Sequence, residues 1–399
     1  MLSGGRALLG AAIGLCLLLS ATTFADPGRG EYFGPRLIRE EVRIPAPGGY
    51  TIAATILRPD GPGPYGAVVL NHGFPGTEEE REAESWRAFS TVAPVFARRG
   101  YVVVMPLRRG FGATGGELAE DPGSCWRPHF ERGEEAAADD VMAAYRYARA
   151  LPYVDPSRMI LAGQSAGGMV SIYTAGARHP QGLVAVLAFA AGRGGDPDRE
   201  PGVPCAVEPV ARVFDALGAK VQAPVLFHYA ENDRYFGPAV TRTWFDRFST
   251  GGASAEYVMQ PPYGHDGHFV FTQLAGVEYW LPAVERFLAE HGVPFQRLDA
   301  ADPQSEPLLE AKLPTSVNDG CGGLYRVFLE SPGPRAYAVS KDGHCGFAAG
   351  VRDATEAAMR KCGEIADRSC ALYAVDDKLL WKEKATLSAS LAGLANVAK

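Results

Sequence analysis

Ser165 has the neighbours that a nucleophilic serine needs. The segment Gly163-Gln164-Ser165-Ala166-Gly167 follows the strand-like run Met159–Ala162 and precedes a helical pattern that starts near Ala166. A serine in a sharp strand-to-helix turn needs small neighbours, because the turn is strained and the backbone passes close to other elements. The N-terminus of the following helix adds a partial positive charge beneath the hydroxyl. A glycine-rich turn with a capping serine is the alternative, but the strand and helix on either side favour a catalytic nucleophile.

A serine hydroxyl becomes a good nucleophile only when a base takes its proton and an acid orients that base. Asp233 and Glu231 lie in the loop after the buried run Val225–Tyr229, at the sheet edge where open α/β sheets bind ligands. We predict that Asp233 is the acid, because Glu231 lies closer to the strand. The chain order serine, acid, base then requires a histidine after the next strand. His265 and His268 both qualify there, each follows a glycine, and spacing alone leaves both open.

The developing negative charge of an acyl-transfer intermediate requires two backbone N–H donors, each worth about 3 kcal/mol. Ala166, the residue after the nucleophile, is one expected donor. The second is expected from the loop Asn71-His72-Gly73-Phe74-Pro75-Gly76, in which Gly73 lets the backbone turn and Phe74 offers its N–H. We expect His72 to brace this loop rather than to take part in the chemistry.

The elements that must position these residues alternate between strands and helices. The predicted strands are Glu41–Ile44, Thr51–Leu57, Ala67–Asn71, Tyr101–Met105, Met159–Ala162, Leu183–Phe189, Val225–Tyr229 and Ala255–Met259. The predicted helices are Glu80–Arg99, Glu131–Ala150, Ala166–Arg178, Pro238–Phe248 and Ala275–His291. Continuous apolar strands between helices predict a doubly wound, mostly parallel α/β sheet over residues 26–298. Pro47-Gly48-Gly49 predicts a hairpin between the first two strands, so the sheet should have an antiparallel entry.

Composition and charge exclude several classes of protein. The chain has 399 residues, with 47% hydrophobic and 21% charged residues, which argues against disorder, collagen and coiled coil. Its 39 basic and 46 acidic residues give a net charge of −7 without long runs of like charge. This balance argues against a nucleic-acid partner and says nothing about the substrate. From the residues around Ser165 we expect a small-molecule or peptide acyl substrate.

The first 25 residues have the pattern of a signal peptide. Arg6 precedes an apolar run from Ala7 to Leu19, and Thr23-Phe24-Ala25 places small residues at a cleavage site. The run is shorter than the ~20 residues that span a bilayer. We therefore predict a secreted or periplasmic protein whose mature chain starts at Asp26 and contains no integral membrane segment.

A second unit is predicted after a linker. Residues 299–316 are polar and contain three prolines, which is typical of a linker. Residues 317–399 predict a small α+β domain with strands at Tyr325–Leu329, Ala336–Ser340 and Cys370–Val375 and a helix at Ala354–Ala366. A unit of this size buries little core and benefits from disulfides.

The six cysteines of the predicted mature chain allow many pairings. Our prediction is Cys125–Cys205, Cys321–Cys345 and Cys362–Cys370. The first pair would tie together two long loops, Asp121–Phe130 and Gly192–Ala206, which we expect to form the roof of the pocket. Zinc is the rival interpretation, but no Cys-x-x-Cys pair supports it.

Residues about 40–292 resemble the α/β-hydrolase superfamily, and its dienelactone hydrolase-like and prolyl-oligopeptidase-like branches in particular. The segments that carry the resemblance are Asn71 to Gly76, Arg108 to Gly116, Asp139-Asp140-Val141, Val154-Asp155-Pro156, the turn at Ser165, and Glu231-Asn232-Asp233. The resemblance implies Ser165 as nucleophile, Asp233 as acid, and Phe74 and Ala166 as oxyanion donors. The last loop of similar hydrolases often reads Pro-Pro-x-Gly-x-x-Gly-His, which matches His268. The C-terminal unit resembles small cysteine-containing domains of secreted bacterial proteins.

One departure from the family pattern affects the expected substrate. Dienelactone hydrolases proper use a cysteine nucleophile, whereas this chain has Ser165. We therefore expect a serine esterase that works through a Ser165–His268–Asp233 triad and an acyl-enzyme, with no cofactor and no metal. The alternatives are a serine peptidase or amidase on the same triad, and a non-catalytic envelope-binding protein on a hydrolase scaffold. Arg108 and Arg109 are either binders of a substrate carboxylate or exposed loop arginines.

Overall fold

The computed structural model describes residues 31–32, 37–298, 319–331, 333–365, 370–376 and 378–380. The predicted signal peptide, residues 1–25, and the predicted linker, residues 299–316, lie outside the described residues.

A nine-stranded sheet forms the centre of the larger unit, in the order β1-β2-β3-β5-β4-β8-β9-β10-β11. Its strands are β1 (Glu31–Tyr32), β2 (Leu37–Pro45), β3 (Thr51–Pro59), β4 (Tyr65–Asn71), β5 (Tyr101–Pro106), β8 (Val154–Gln164), β9 (Leu183–Phe189), β10 (Val225–Ala230) and β11 (Ala255–Gln260). Two short strands, β6 (Gly123–Ser124) and β7 (Arg127–Pro128), pair with each other outside this sheet. In sheet order, the strands β5, β4, β8, β9, β10 and β11 are parallel to their neighbours. The strands β1, β2 and β3 pair in antiparallel fashion, and β3 is also antiparallel to β5. The predicted mostly parallel sheet with an antiparallel entry is therefore confirmed, and this unit has the α/β-hydrolase fold.

Helices cover both faces of the sheet, because the central strands are apolar on both sides. One face packs against α3 (Phe130–Arg149), α4 (Ala166–Arg178), α5 (Val207–Gly218) and α6 (Pro238–Thr250). The other face packs against α2 (Ala93–Ala97) and α7 (Val277–Glu290). The carboxyl ends of β4 and β8 lie side by side, with Asn71 opposite Gly163, so the loop after β4 meets the Ser165 turn.

Two helix predictions differ from the structure. The predicted helix Glu80–Arg99 is divided into α1 (Glu78–Glu82), a 3-10 helix at Trp86–Phe89, and α2. Ser85 is extended, with φ −156° and ψ 168°, and Pro94 lies in the first turn of α2. A proline fits there because the first N–H groups of a helix have no intrahelical partner. Helix α5 was not predicted, although its buried Val210, Phe214 and Leu217 follow helical spacing.

The C-terminal unit contains a four-stranded antiparallel sheet between two helices. Its elements are α8 (Asp319–Glu330), β12 (Arg335–Val339), β13 (Cys345–Ala349), α9 (Ala354–Ile365), β14 (Ala371–Val375) and β15 (Lys378–Leu379), with sheet order β13-β12-β14-β15. The predicted strand Tyr325–Leu329 is wrong, because this run is the end of α8. Buried Cys321, Tyr325 and Phe328 lie on one face of that helix, which is the 3.6-residue period of a helix and not the alternation of a strand.

The three predicted disulfides form. Cys125–Cys205 joins the loops before α3 and α5, Cys321–Cys345 joins α8 to β13, and Cys362–Cys370 joins α9 to the start of β14. Disulfides of this number are typical of oxidising, extracytoplasmic compartments. Among the helices of the described residues, none combines the length and hydropathy required to cross a bilayer.

Candidate active site

Ser165 lies in a strained turn between the end of β8 and the start of α4. Its backbone has φ 58° and ψ −124°, a region that non-glycine residues rarely adopt. The turn needs glycine nearby, because a Cβ at Gly167 would collide with the carbonyl oxygen of Asn71. The Ser165 side chain makes no hydrogen bond that caps α4. The turn therefore presents a hydroxyl that is not used for helix capping.

Main-chain hydrogen bonds fix the position of Ser165. Its N–H donates to the Phe189 carbonyl at 2.9 Å, and its own carbonyl accepts from Gly192 at 3.3 Å and from Met169 at 3.1 Å. These bonds connect the serine to the end of β9, to the loop after it and to its own helix. The strain of the turn is thus maintained by three separate elements.

Asp233 and His268 form a buried pair. His268 Nδ1 lies 3.0 Å from Asp233 Oδ2 and 3.1 Å from Oδ1, and the two side chains are 3% and 0% exposed. Asp233 follows β10, and His268 lies in a 3-10 helix, Gly267–Phe269, after β11. A carboxylate at Nδ1 fixes the tautomer with the proton on Nδ1 and leaves Nε2 free to accept one.

The surroundings hold both members of this pair in place. Asp233 Oδ1 also accepts the backbone N–H groups of Tyr235 at 2.8 Å and Phe236 at 2.9 Å. The Tyr235 ring stacks on the His268 imidazole with centroids 4.0 Å apart. The carboxylate and the imidazole are thus oriented before any substrate binds.

Gln164 connects the Ser165 turn to His268. Its amide Nε2 donates to the His268 carbonyl at 3.0 Å, so the residue next to Ser165 holds the backbone of the histidine. Ser165 and His268 are both described, and their hydroxyl and imidazole share no direct hydrogen bond. Catalytic hydrogen bonds of this kind often form only when substrate is present.

The alternative acid and base lie apart from this pair. His265 is exposed, and its Nε2 lies 3.4 Å from Arg234 Nη1. Glu231 is also exposed. Of the two histidines that the spacing left open, only His268 contacts Asp233.

The loop after β4 places its backbone next to Ser165. A Cβ at Gly73 would lie 3.5 Å from the Ser165 Cβ. The Gly73 carbonyl accepts from His72 Nδ1 at 2.8 Å and from Arg108 Nη2 at 3.3 Å. Because the C=O and N–H of a trans peptide point in opposite directions, these donors also orient the N–H of Phe74.

His72 braces this loop as a neutral side chain, as expected. Its Nδ1 donates to the Gly73 carbonyl, and its Nε2 accepts the Arg108 backbone N–H at 3.1 Å. Burial, together with the positive charge of Arg108, lowers the pKa of His72 to about 3. The imidazole is therefore uncharged at neutral pH.

The two arginines of the loop after β5 are paired. Arg108 is fully buried and binds Glu120 through two hydrogen bonds, of 2.9 and 2.8 Å. Arg109 is partly exposed and binds Asp140 at 2.8 Å. Arg108 is therefore not an exposed loop arginine, and each of the two guanidinium groups is bound to a carboxylate of the chain itself.

A second buried ion pair, which the sequence did not reveal, adjoins the first. Arg193 donates to Glu134 Oε1 at 2.7 Å and to Glu120 Oε2 at 3.1 Å. We call Arg108, Glu120, Arg193 and Glu134 the charge quartet. Arg108 and Glu120 are 12 residues apart, and Arg193 and Glu134 are 59 apart. Spacings of this size follow no helical or strand period, so no sequence pattern indicates the quartet.

Electrostatics keeps most of the quartet charged. Burial would raise the pKa of Glu120, but Arg108 and Arg193 lower it to about 2. Burial raises the pKa of Glu134, and Arg193 opposes this only in part. Within the described residues there is no group of three or more His, Cys, Asp or Glu side chains that could hold a metal ion.

Comparison with known proteins supports the predicted resemblance. Residues 87–191 match the prolyl oligopeptidase family, a segment that includes β5, β8 and the Ser165 turn. A search of curated proteins finds no match to this chain. The match over residues 87–191 supports a hydrolase.

Solved structures with similar folds include esterases and peptidases. Acetyl xylan esterase 1 from Thermoanaerobacterium sp. JW/SL YS485 is 16% identical, with a TM-score of 0.44 over 66% of this chain and 86% of that one. A dienelactone hydrolase-like promiscuous phosphotriesterase from metagenomic libraries is 16% identical, with a TM-score of 0.39 over 57% and 82%. The Pyrococcus horikoshii acylaminoacyl peptidase is 13% identical, with a TM-score of 0.47 over 63% and 42%.

Proposed function

We propose that this protein is a serine hydrolase of carboxylic esters. The observation that carries the proposal is the buried Asp233–His268 pair, which Gln164 connects to the strained turn of Ser165. The Ser165 hydroxyl in that turn does not cap its helix. A histidine oriented by a buried carboxylate is the base that a serine nucleophile requires.

The proposed reaction has two halves. His268 Nε2 takes the proton of the Ser165 hydroxyl as its oxygen attacks the ester carbonyl. The N–H groups of Phe74 and Ala166 bind the oxyanion of the tetrahedral intermediate. His268 then gives its proton to the departing alcohol, which leaves an acyl group on Ser165. A water molecule, deprotonated by His268, attacks the acyl-enzyme, and collapse of the second intermediate returns the proton to Ser165 and releases the acid.

Asp233 supports both halves without changing its own protonation. Its carboxylate fixes the imidazole tautomer and stabilises the imidazolium that forms in each step. Its two backbone donors, Tyr235 and Phe236, hold the carboxylate in place against the imidazole.

A peptidase or amidase is the second candidate, and the match of residues 87–191 to the prolyl oligopeptidase family favours it. The same residues would act, but an amine is a poorer leaving group than an alcohol. For either candidate, the predicted signal peptide and the three disulfides support secretion or export to the periplasm.

The experiment compares nitrophenyl esters of increasing acyl length with aminoacyl nitroanilides on the purified protein. We expect turnover of the esters and a loss of at least about a thousandfold in Ser165→Ala. Faster turnover of the anilides would favour the peptidase. No turnover of any ester or anilide, or equal rates for wild type and Ser165→Ala, would contradict the proposed function.

A further inference from the structure

Arg193 contacts the side chain of the residue whose N–H is proposed to bind the oxyanion. Its guanidinium carbon lies 5.2 Å from the centre of the Phe74 ring. The Phe111 ring meets Phe74 edge-on at 5.6 Å, and Arg81 lies over Phe74 at 5.9 Å. Arg193 is 4% exposed, so this cation–ring contact is largely desolvated, the condition in which such contacts are strongest.

The segment Gly192-Arg193 also contacts Ser165, the proposed nucleophile. Gly192, the residue before Arg193, donates its N–H to the Ser165 carbonyl at 3.3 Å. Residues 192 and 193 therefore contact both Ser165 and Phe74. The position of the serine relative to its oxyanion donor is set in part by this one segment after β9.

Glu120 connects Arg193 to the backbone of the loop after β4, which contains His72, Gly73 and Phe74. One carboxylate accepts from both guanidinium groups of the quartet, and Arg108 donates to the His72 carbonyl at 2.9 Å and to that of Gly73. Arg108 thus holds the Gly73–Phe74 peptide through its carbonyl, and Arg193 holds the Phe74 ring.

Net stabilisation is not the main effect expected of the quartet. It contains two cations and two anions, and replacing buried ion pairs by apolar residues often costs little or no stability. Planar, two-pronged guanidinium contacts do, however, fix geometry well. An oxyanion donor needs this kind of precision, because a displacement of about 1 Å can reduce a rate a hundredfold.

We propose that Arg193 is a positioning residue that orients Phe74 so that its N–H meets the oxyanion on the Ser165 adduct. The inference rests on the proposed function and extends it to a residue that does not itself contact the reacting atoms. Arg193 acts through the Phe74 ring and through Glu120.

The main test is the variant Arg193→Met/Glu134→Gln, which removes a cation together with its anion and leaves no unpaired buried charge. We expect kcat for a nitrophenyl ester to fall about tenfold to a hundredfold while KM changes less than about twofold, because the lost orientation matters only in the transition state. The inhibition constant of a trifluoromethyl ketone, whose serine adduct carries an oxyanion, should rise by a similar factor.

Two further variants separate positioning from simple structural support. Arg193→Lys keeps the cation but lacks the fork that spans Glu120 and Glu134, and should recover part of the lost kcat. Phe74→Leu removes the ring but keeps the backbone N–H. In the triple variant Arg193→Met/Glu134→Gln/Phe74→Leu, kcat should be no lower than in the less active of Phe74→Leu and Arg193→Met/Glu134→Gln. Both changes break the same contact between the Phe74 ring and Arg193, so their effects should not add.

Arg178→Met is the matched control. Arg178 also pairs with two carboxylates, Glu135 and Asp139, but at the outer surface of α3 and α4, so its kcat and ketone affinity should equal those of wild type.

The outcomes are distinguishable. An active wild type with an equally active, folded Arg193→Met/Glu134→Gln variant would overturn this inference alone. If Arg193→Met/Glu134→Gln does not fold, the test uses Phe74→Leu, Arg193→Lys and their double variant. Fully additive effects of the two substitutions on kcat would then overturn the inference. A wild type without hydrolase activity would contradict the proposed function and this inference together.

Discussion

His268 and His265 differ in environment although only two residues lie between them. Asp266 accepts the His268 backbone N–H at 3.0 Å and that of Arg234 at 3.1 Å. This carboxylate bridges the loops after β10 and β11 and brings the His268 ring to Asp233. His265 is left on the exposed side of the same loop. The sequence could not choose between them, since both follow a glycine and the choice depends on how two loops fold against each other.

At this scale we predict very unequal effects of two alanine substitutions. His268→Ala should reduce kcat/KM for an ester at least about a thousandfold, because the serine loses its base. His265→Ala should change it less than about threefold, since its ring is exposed and lies beside Arg234. Steady-state ester hydrolysis measures both. A larger loss for His265→Ala would mean that the base is assigned to the wrong histidine.

The elements around the site differ in how clearly the sequence predicts them. The Ser165 turn was predictable because small residues at fixed positions follow a buried strand. Helix α8 was not, because Tyr325-Arg326-Val327-Phe328-Leu329 is apolar enough for a strand, and the glycines before it have low helix propensity. The charge quartet joins separate loops to helix α3, and only the folded chain brings its members together.

Strand β10 contains a buried histidine that should make the fold sensitive to acid. His228 is 1% exposed, and neither of its ring nitrogens has a hydrogen-bond partner among the described residues. Burial lowers its pKa to about 4, against ~6.5 in the unfolded chain. Between these values the unfolded chain binds one more proton, so the free energy of unfolding falls as the pH is lowered.

We therefore predict that His228→Phe makes the protein less sensitive to acid. Between pH 6 and pH 4, the slope of unfolding free energy against pH should be smaller than that of wild type by about 1 kcal/mol per pH unit. Urea unfolding at several pH values measures the slope. The control variant His129→Gln, which replaces an exposed histidine, should keep the wild-type slope. An unchanged slope in His228→Phe would show that His228 does not titrate in this range.

The whole molecule includes a charged contact between its two units. Glu330, at the end of α8, is 2% exposed and accepts from Arg99 at 2.9 Å and from Arg297 at 3.1 Å. Burial would raise the pKa of Glu330, but these two arginines, together with Arg98, hold it far below its usual range. The carboxylate is therefore ionised at neutral pH.

Removing this charge should weaken the attachment of the C-terminal unit. Glu330→Gln leaves the Arg99 cation buried without its main partner, and we expect a loss of about 3 kcal/mol in unfolding free energy. Glu285→Gln removes the exposed partner of the same arginine and should cost less than about 1 kcal/mol. Urea unfolding compares the two variants, and equal losses would mean that Glu330 does not fasten the units together.

The central claim is that Ser165 is a nucleophile activated by the folded site. The most direct test is reaction of the purified protein with a fluorophosphonate, followed by mass spectrometry of the intact protein and of its peptides. We predict one adduct per chain, located on Ser165, and no adduct in Ser165→Ala. An unlabelled wild type, or equal labelling of Ser165→Ala, would contradict it.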